Sequence, residues 1–120
     1  MKYILFIDDC ADRIKTIEWD SNWIVIPACG FEQLNHWFTQ KTVKFDLIMC
    51  DHDMPDTNGV DVCNYWLIAR NTPVVIHSGN PDAARRMDAI LTEYDVPHVT
   101  CSIINPDRVE AVLRENPWLS

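Results

Sequence analysis

The residues able to do chemistry in this chain fall into three short clusters: Asp8-Asp9, Asp51-His52-Asp53, and His77-Ser78-Gly79-Asn80. Each cluster follows a short apolar run, at residues 3–7, 47–50 and 74–76. Carboxylates drawn together from separate segments cannot all ionise unaided, because each raises the pKa of its neighbours. A divalent cation relieves the conflict, and oxygen ligands with open water positions suit Mg2+ better than zinc. Asp8, Asp9, Asp51 and Asp53 are therefore the candidate metal ligands. The third cluster has the parts of a phosphate site. Ser78 offers a hydroxyl, Gly79 lets backbone approach closely, and Asn80-Pro81 is a strong helix start, with a positive dipole end facing the same rim. Beside them Asp51 could accept a phosphoryl group as an aspartyl-phosphate. His52 and His77 could supply a general acid and base near neutral pH, flanking a metal-bound phosphodiester. Plainer readings compete. Asp51 could simply cap a turn, the second Asp of each pair could face solvent, His52 could point outward, and His77 could bond to backbone.

The elements that must position these clusters follow from hydrophobic period. Apolar runs at 3–7, 47–50 and 74–76 predict strands at 3–8, 45–50 and 74–76 buried on both faces, with a second strand at 23–26 closed by Pro27 and a weaker fifth within 96–104. Helical patterns lie between them. Ile14 and Ile17 mark the first, at 10–18, and Phe31, Leu34, Trp37 and Phe38 the second. Val60, Cys63, Trp66 and Leu67 mark the third, while Ala83, Ala84, Met87, Ile90, Leu91 and Tyr94 mark the fourth. Asn105-Pro106 opens a fifth that carries Val109, Val112 and Leu113. Five strands alternating with five helices predict an α/β, doubly wound parallel sheet of order 2-1-3-4-5. Ligands bind such sheets outside the carboxyl ends of the strands, where the order reverses. Asp8-Asp9, Asp51 and His77-Ser78 all occupy that end.

Composition bounds the partners. A chain of 120 residues has room for one core, so residues 1–120 are expected to form a single domain. A net charge of −8 argues against affinity for nucleic-acid backbones or anionic membranes. Cys10, Cys29, Cys50, Cys63 and Cys101 form no paired metal motif and suit a reducing compartment. The apolar start is too short for a signal peptide or a membrane span, so a cytoplasmic location is expected. Arg85 and Arg86, His36 and His98 read as surface or edge residues, and Trp118 as a cover for the sheet edge or a subunit contact.

On these residues the chain resembles response-regulator receiver domains over nearly its full length. The matching pieces are Asp8-Asp9, Asp51, Met54-Pro55, Gly59 and Ser78-Gly79. The resemblance implies a flavodoxin-like receiver fold and Mg2+ held by Asp8, Asp9 and Asp51 with the backbone carbonyl of Asp53. It also implies phosphorylation of Asp51 by a histidine kinase or small phosphodonor, a hydrogen bond from Ser78, and signalling through a downstream partner or a homodimer. One departure is plain. Where receivers carry a strand-five Lys this chain has Ser102, and Val99 stands where they place an aromatic switch residue. Narrower stretches, Asp51-His52-Asp53, Gly59-Val60-Asp61 with Trp66, and His77-Ser78-Gly79-Asn80, are similar to a receiver variant to which processing of cyclic-phosphate nucleotides is ascribed. That likeness implies an enzyme using His52, His77 and the metal. A receiver that acts only as a binding module is the third expectation.

Overall fold

A computed structural model describes residues 2–9 and 23–101. The helices expected at 10–18 and after Asn105, and with them Cys10, Ser102 and Trp118, lie outside the described residues. Five strands, β1 (Lys2–Ile7), β2 (Trp23–Ala28), β3 (Leu47–Cys50), β4 (Val74–Ile76) and β5 (His98–Thr100), form one sheet of order β2-β1-β3-β4-β5. Every neighbouring pair is parallel. The described helices are α1 (Phe31–Thr39), α2 (Gly59–Tyr65) and α3 (Pro81–Glu93), with a 3-10 turn at Leu67–Ala69 after α2. None is long and apolar enough to cross a membrane.

The two-residue period of the strands divides the core. Leu5, Ile7, Ile48, Cys50, Val74 and Ile76 face α1, α2 and α3 in the larger cluster. Ile4, Phe6, Leu47, Met49 and Val75 face the other way, with Cys101. Burial on both faces is why these strands read as unbroken apolar runs. Each fully covered aliphatic side chain contributes about 1.5–3 kcal/mol.

Several boundaries differ from those the sequence predicts. Strand β2 continues through Pro27 to Ala28. Proline cannot donate to a ladder, but β2 is an outer strand of the described sheet, where a missing donor is tolerated. Strand β3 begins at Leu47, two residues after the buried Phe45, and β5 is cut to three residues. Helix α2 ends at Tyr65, yet Trp66 and Leu67 stay buried because the 3-10 turn keeps them over the sheet. The capping signals read correctly. Asn80 accepts from the Ala83 amide at 3.2 Å with Pro81 as first helical residue, and Asn58 accepts from the Asp61 amide at 2.9 Å. Phe31 and Tyr94, expected on buried stripes, are 43% and 52% exposed.

Candidate metal and phosphate site

Sheet register builds the site. The ladder of backbone hydrogen bonds runs one residue past each strand end. Asp8 N donates to Ala28 O at 3.2 Å, Asp51 N to Ile7 O at 2.9 Å, and His77 N to Cys50 O at 3.0 Å. Ile7 pairs with Cys50 and Cys50 with Ile76, so Asp8, Asp51 and His77 are lateral neighbours on three adjacent strands. By alternation all three side chains leave the sheet on the side of Phe6, Met49 and Val75. The Phe6 and His77 ring centroids lie 5.0 Å apart. One ligand atom from each of Asp8, Asp51 and His77 lies within 4.8 Å of the others. The three residues are 0%, 6% and 2% exposed. Two carboxylates and an imidazole so close and so dry match the donor chemistry of a divalent cation.

The loop after β3 is held to this end of the sheet at several points. His52 N donates to Asp51 Oδ1 at 2.7 Å, and Gly59 N to His52 O at 2.8 Å. Residue 59 has to be glycine. A Cβ there would stand 2.6 Å from the backbone oxygen of Asp51 and 2.7 Å from the Met87 side chain. Asp56 Oδ1 accepts from Phe31 N at 2.8 Å, which ties the loop to the start of α1. Behind Asp51, burial and a hydrogen bond shared with Cys63 push the Cys50 thiol well above its usual range, the shared bond being the larger cause.

The expected site residues are not all alike. His77 joins Asp8 and Asp51 within the ligand group, deeper than a rim acid–base residue would sit. Asp9 and Asp53 are exposed, their carboxylates lie outside that group, and Asp53 forms an isolated antiparallel bridge with Asn58. His52 is half-buried, and its Nδ1 is enclosed with no hydrogen-bond partner. Ser78 is buried at the mouth, where its hydroxyl accepts from Asn80 N at 3.1 Å. The Ala83 and Ala84 amides are taken by the Asn80 side chain and carbonyl. The start of α3 therefore caps itself. Gly79 is exposed, and a Cβ there would meet open space, so the fold does not require glycine at this position. Beside Ser78 and Gly79 opens a cavity of ≈ 470 Å3, walled by Pro81, Ala84, Asp88 and Thr100. Sequence reasoning did not anticipate this cavity, because α3 and β5 make it jointly.

Solved structures share this architecture. A CheY-like receiver domain from Methanospirillum hungatei JF-1 superposes with a TM-score of 0.70 at 17% identity, covering 99% of this chain and 96% of that one. A two-component response regulator from Clostridium difficile gives 0.73 at 18% identity, covering 96% and 94%. Response regulator TrrA from Thermotoga maritima, solved in complex with Mg2+-BeF, gives 0.66 at 17% identity, covering 96% and 98%. At such identities the likeness establishes the receiver fold. The family model described as cyclic-phosphate processing receiver domain matches residues 3–93, and the chain belongs to that family. No curated protein matches it.

Proposed function

We propose that this receiver domain opens cyclic phosphate esters by metal-assisted hydrolysis. The observation that carries the reading is the placement of His77 beside Asp8 and Asp51, with ligand atoms within 4.8 Å. An aspartate that only accepts a phosphoryl group needs no imidazole in its ligand set, whereas two carboxylates and a histidine form a hydrolytic donor set. Asp8, Asp51 and His77 would hold a divalent cation. Mg2+ fits the carboxylates, and the imidazole widens the choice to Mn2+. A bound cation would supply charge neutralisation and a water made more acidic. His52, on the loop that follows, would take the proton from an attacking water as the water oxygen bonds to phosphorus, and would return it to the leaving oxygen as the ring P–O bond breaks. Ser78 and the Gly79 backbone line the approach, and the cavity beside them is of a size for the organic part of the ester.

The test is hydrolysis of 2′,3′-cyclic nucleotides, followed by phosphorus NMR with Mg2+ or Mn2+ added. Turnover should fall about a hundredfold or more in Asp51→Asn and His77→Ala. Gly79→Ala should leave stability unchanged and weaken substrate binding, since its methyl group would occupy the open approach. Absence of turnover with either metal overturns the reading.

A second reading has its own support. Asp51 stands at the strand end where receivers accept phosphoryl groups, with Ser78 at the same mouth. On that reading a histidine kinase or small phosphodonor phosphorylates Asp51, and a protein partner reads the result. Incorporation of phosphate from a small phosphodonor, lost in Asp51→Asn, without hydrolysis of cyclic nucleotides, would select it. Buried thiols at Cys50 and Cys63 suit a cytoplasmic setting for either reading.

A further inference from the structure

Beside the loop that follows β3, residues of α1, α2 and that loop line a cavity of ≈ 340 Å3. Its walls include the rings of Phe31, Tyr65 and Trp66, and Asp56, Thr57 and Asp61 also line it. The rings form a connected group. Phe31 lies 5.5 Å and Tyr65 4.8 Å from Trp66, centroid to centroid. Trp66 is in turn stacked on Phe38 at 5.1 Å, so its plane is fixed from below. Core packing does not account for Tyr65, which is 72% exposed, or for Phe31, which is 43% exposed.

The two carboxylates are already oriented. Asp56 accepts from the Phe31 amide with one oxygen, and Asp61 is held by Asn58, whose amide group donates to Asp61 Oδ2 at 3.1 Å. Among the described residues neither carboxylate meets a cation. The only described cation at a ring of this group is Arg70, which lies over Phe38 at 4.5 Å and donates to the Phe38 carbonyl.

Aromatic faces beside fixed carboxylates attract cations, and the kind of cation follows from geometry. A quaternary ammonium has no N–H to give an oxygen and needs an enclosing cage. A guanidinium stacks flat on an open ring while its edge donates to carboxylates. Here the Tyr65 ring is open to solvent with Asp56 and Asp61 on the same cavity, and the chain carries a net charge of −8. We propose that it receives an arginine side chain from a basic segment of a partner protein, at a site separate from the metal and phosphate site.

The test uses the full chain, 15N-labelled, titrated with a short peptide of Gly and Ser around one Arg. The Trp66 indole and the amides of residues 56–66 should shift, with half-saturation on the order of 1 mM. Replacing Arg by citrulline, which keeps the shape and removes the charge, should weaken binding about tenfold or more. Tyr65→Ala, a change at an exposed position, should weaken it about threefold or more with the remaining spectrum intact. Asp51→Asn should bind as the parent chain does, which separates this site from hydrolysis. Equal binding of the citrulline peptide, equal binding of tetramethylammonium, indifference to Tyr65→Ala, or no shifts at residues 56–66 would each overturn the proposal. Shifts that grow with protein concentration alone would assign the cavity to a second copy of the chain and overturn it too.

Discussion

The two ends of this sheet handle polar side chains in opposite ways. At the amino ends of the strands they serve the backbone. Asp46 Oδ2 accepts from Tyr3 N at 2.9 Å, the Gln40 side chain bonds to residues 37, 42 and 43, and Arg70 donates to the Phe38 carbonyl. These groups are exposed or half-buried and each has a local partner. At the carboxyl ends Asp8, Asp51 and His77 are buried and directed at one another. Register brings them together whatever the cost in repulsion between carboxylates. One end ties polar groups to nearby backbone, whereas the other gathers buried polar groups from three strands at one point.

Four experiments would break or sharpen that contrast. The largest effect on folding is expected from Gly59→Ala, about 1–3 kcal/mol of destabilisation, since the new methyl group meets the Asp51 backbone oxygen and Met87. Urea denaturation measures it, and a loss under 0.5 kcal/mol would mean that the loop relaxes freely. Asp8→Asn should weaken the stabilisation by Mg2+ or Mn2+ about tenfold in apparent affinity, because one of the carboxylate donors beside His77 is lost. An unchanged response to the metal would remove Asp8 from the donor set.

At the opposite end, Asp46→Ala should cost about 0.5–1.5 kcal/mol and leave metal affinity untouched. A change in metal affinity there would erase the distinction between the ends. The smallest effect concerns Cys50. Its thiol is held up in the folded chain, so above the ordinary value of about 8.5 the unfolded chain releases a proton that the folded chain keeps. Stability attributable to this thiol is full below that pH and declines as pH rises through it. Denaturation at pH 7 and pH 10 should show a larger decline in the parent chain than in Cys50→Ala, which keeps the other groups that titrate in this range.

Much of this was legible in the sequence, for physical reasons. Unbroken apolar runs mark doubly covered strands, and the strand order of such sheets determines which strand ends are adjacent. Asp8, Asp51 and His77 could therefore be placed at one mouth without coordinates. What could not be read depends on one-residue phase. Asp8 and Asp9 look equivalent as letters, but strand alternation sends the first inward and leaves the second exposed. His77 likewise has the phase of Asp8 and Asp51, which makes it a partner of the acids and not only a residue at the rim. Asp56 was invisible as a cap because its helix begins 25 residues earlier. Phe31 belongs to a helical pattern that predicts core, yet it is exposed, while Tyr65 lies off the stripe of Val60, Cys63, Trp66 and Leu67 and carried no signal of its own.

Pro27 bears on how copies of this chain can meet. Strand β2 borders the described sheet on one side, and β5, on the other, is three residues long. The ring of Pro27 removes an amide from the outer row of β2, and so short a β5 gives an incoming strand little to grip. Neither border is a good template for adding a further strand, which protects a highly apolar sheet against runaway fibre growth. Association with other molecules is thereby directed to helix flanks and loops, where side chains rather than bare backbone choose the companion.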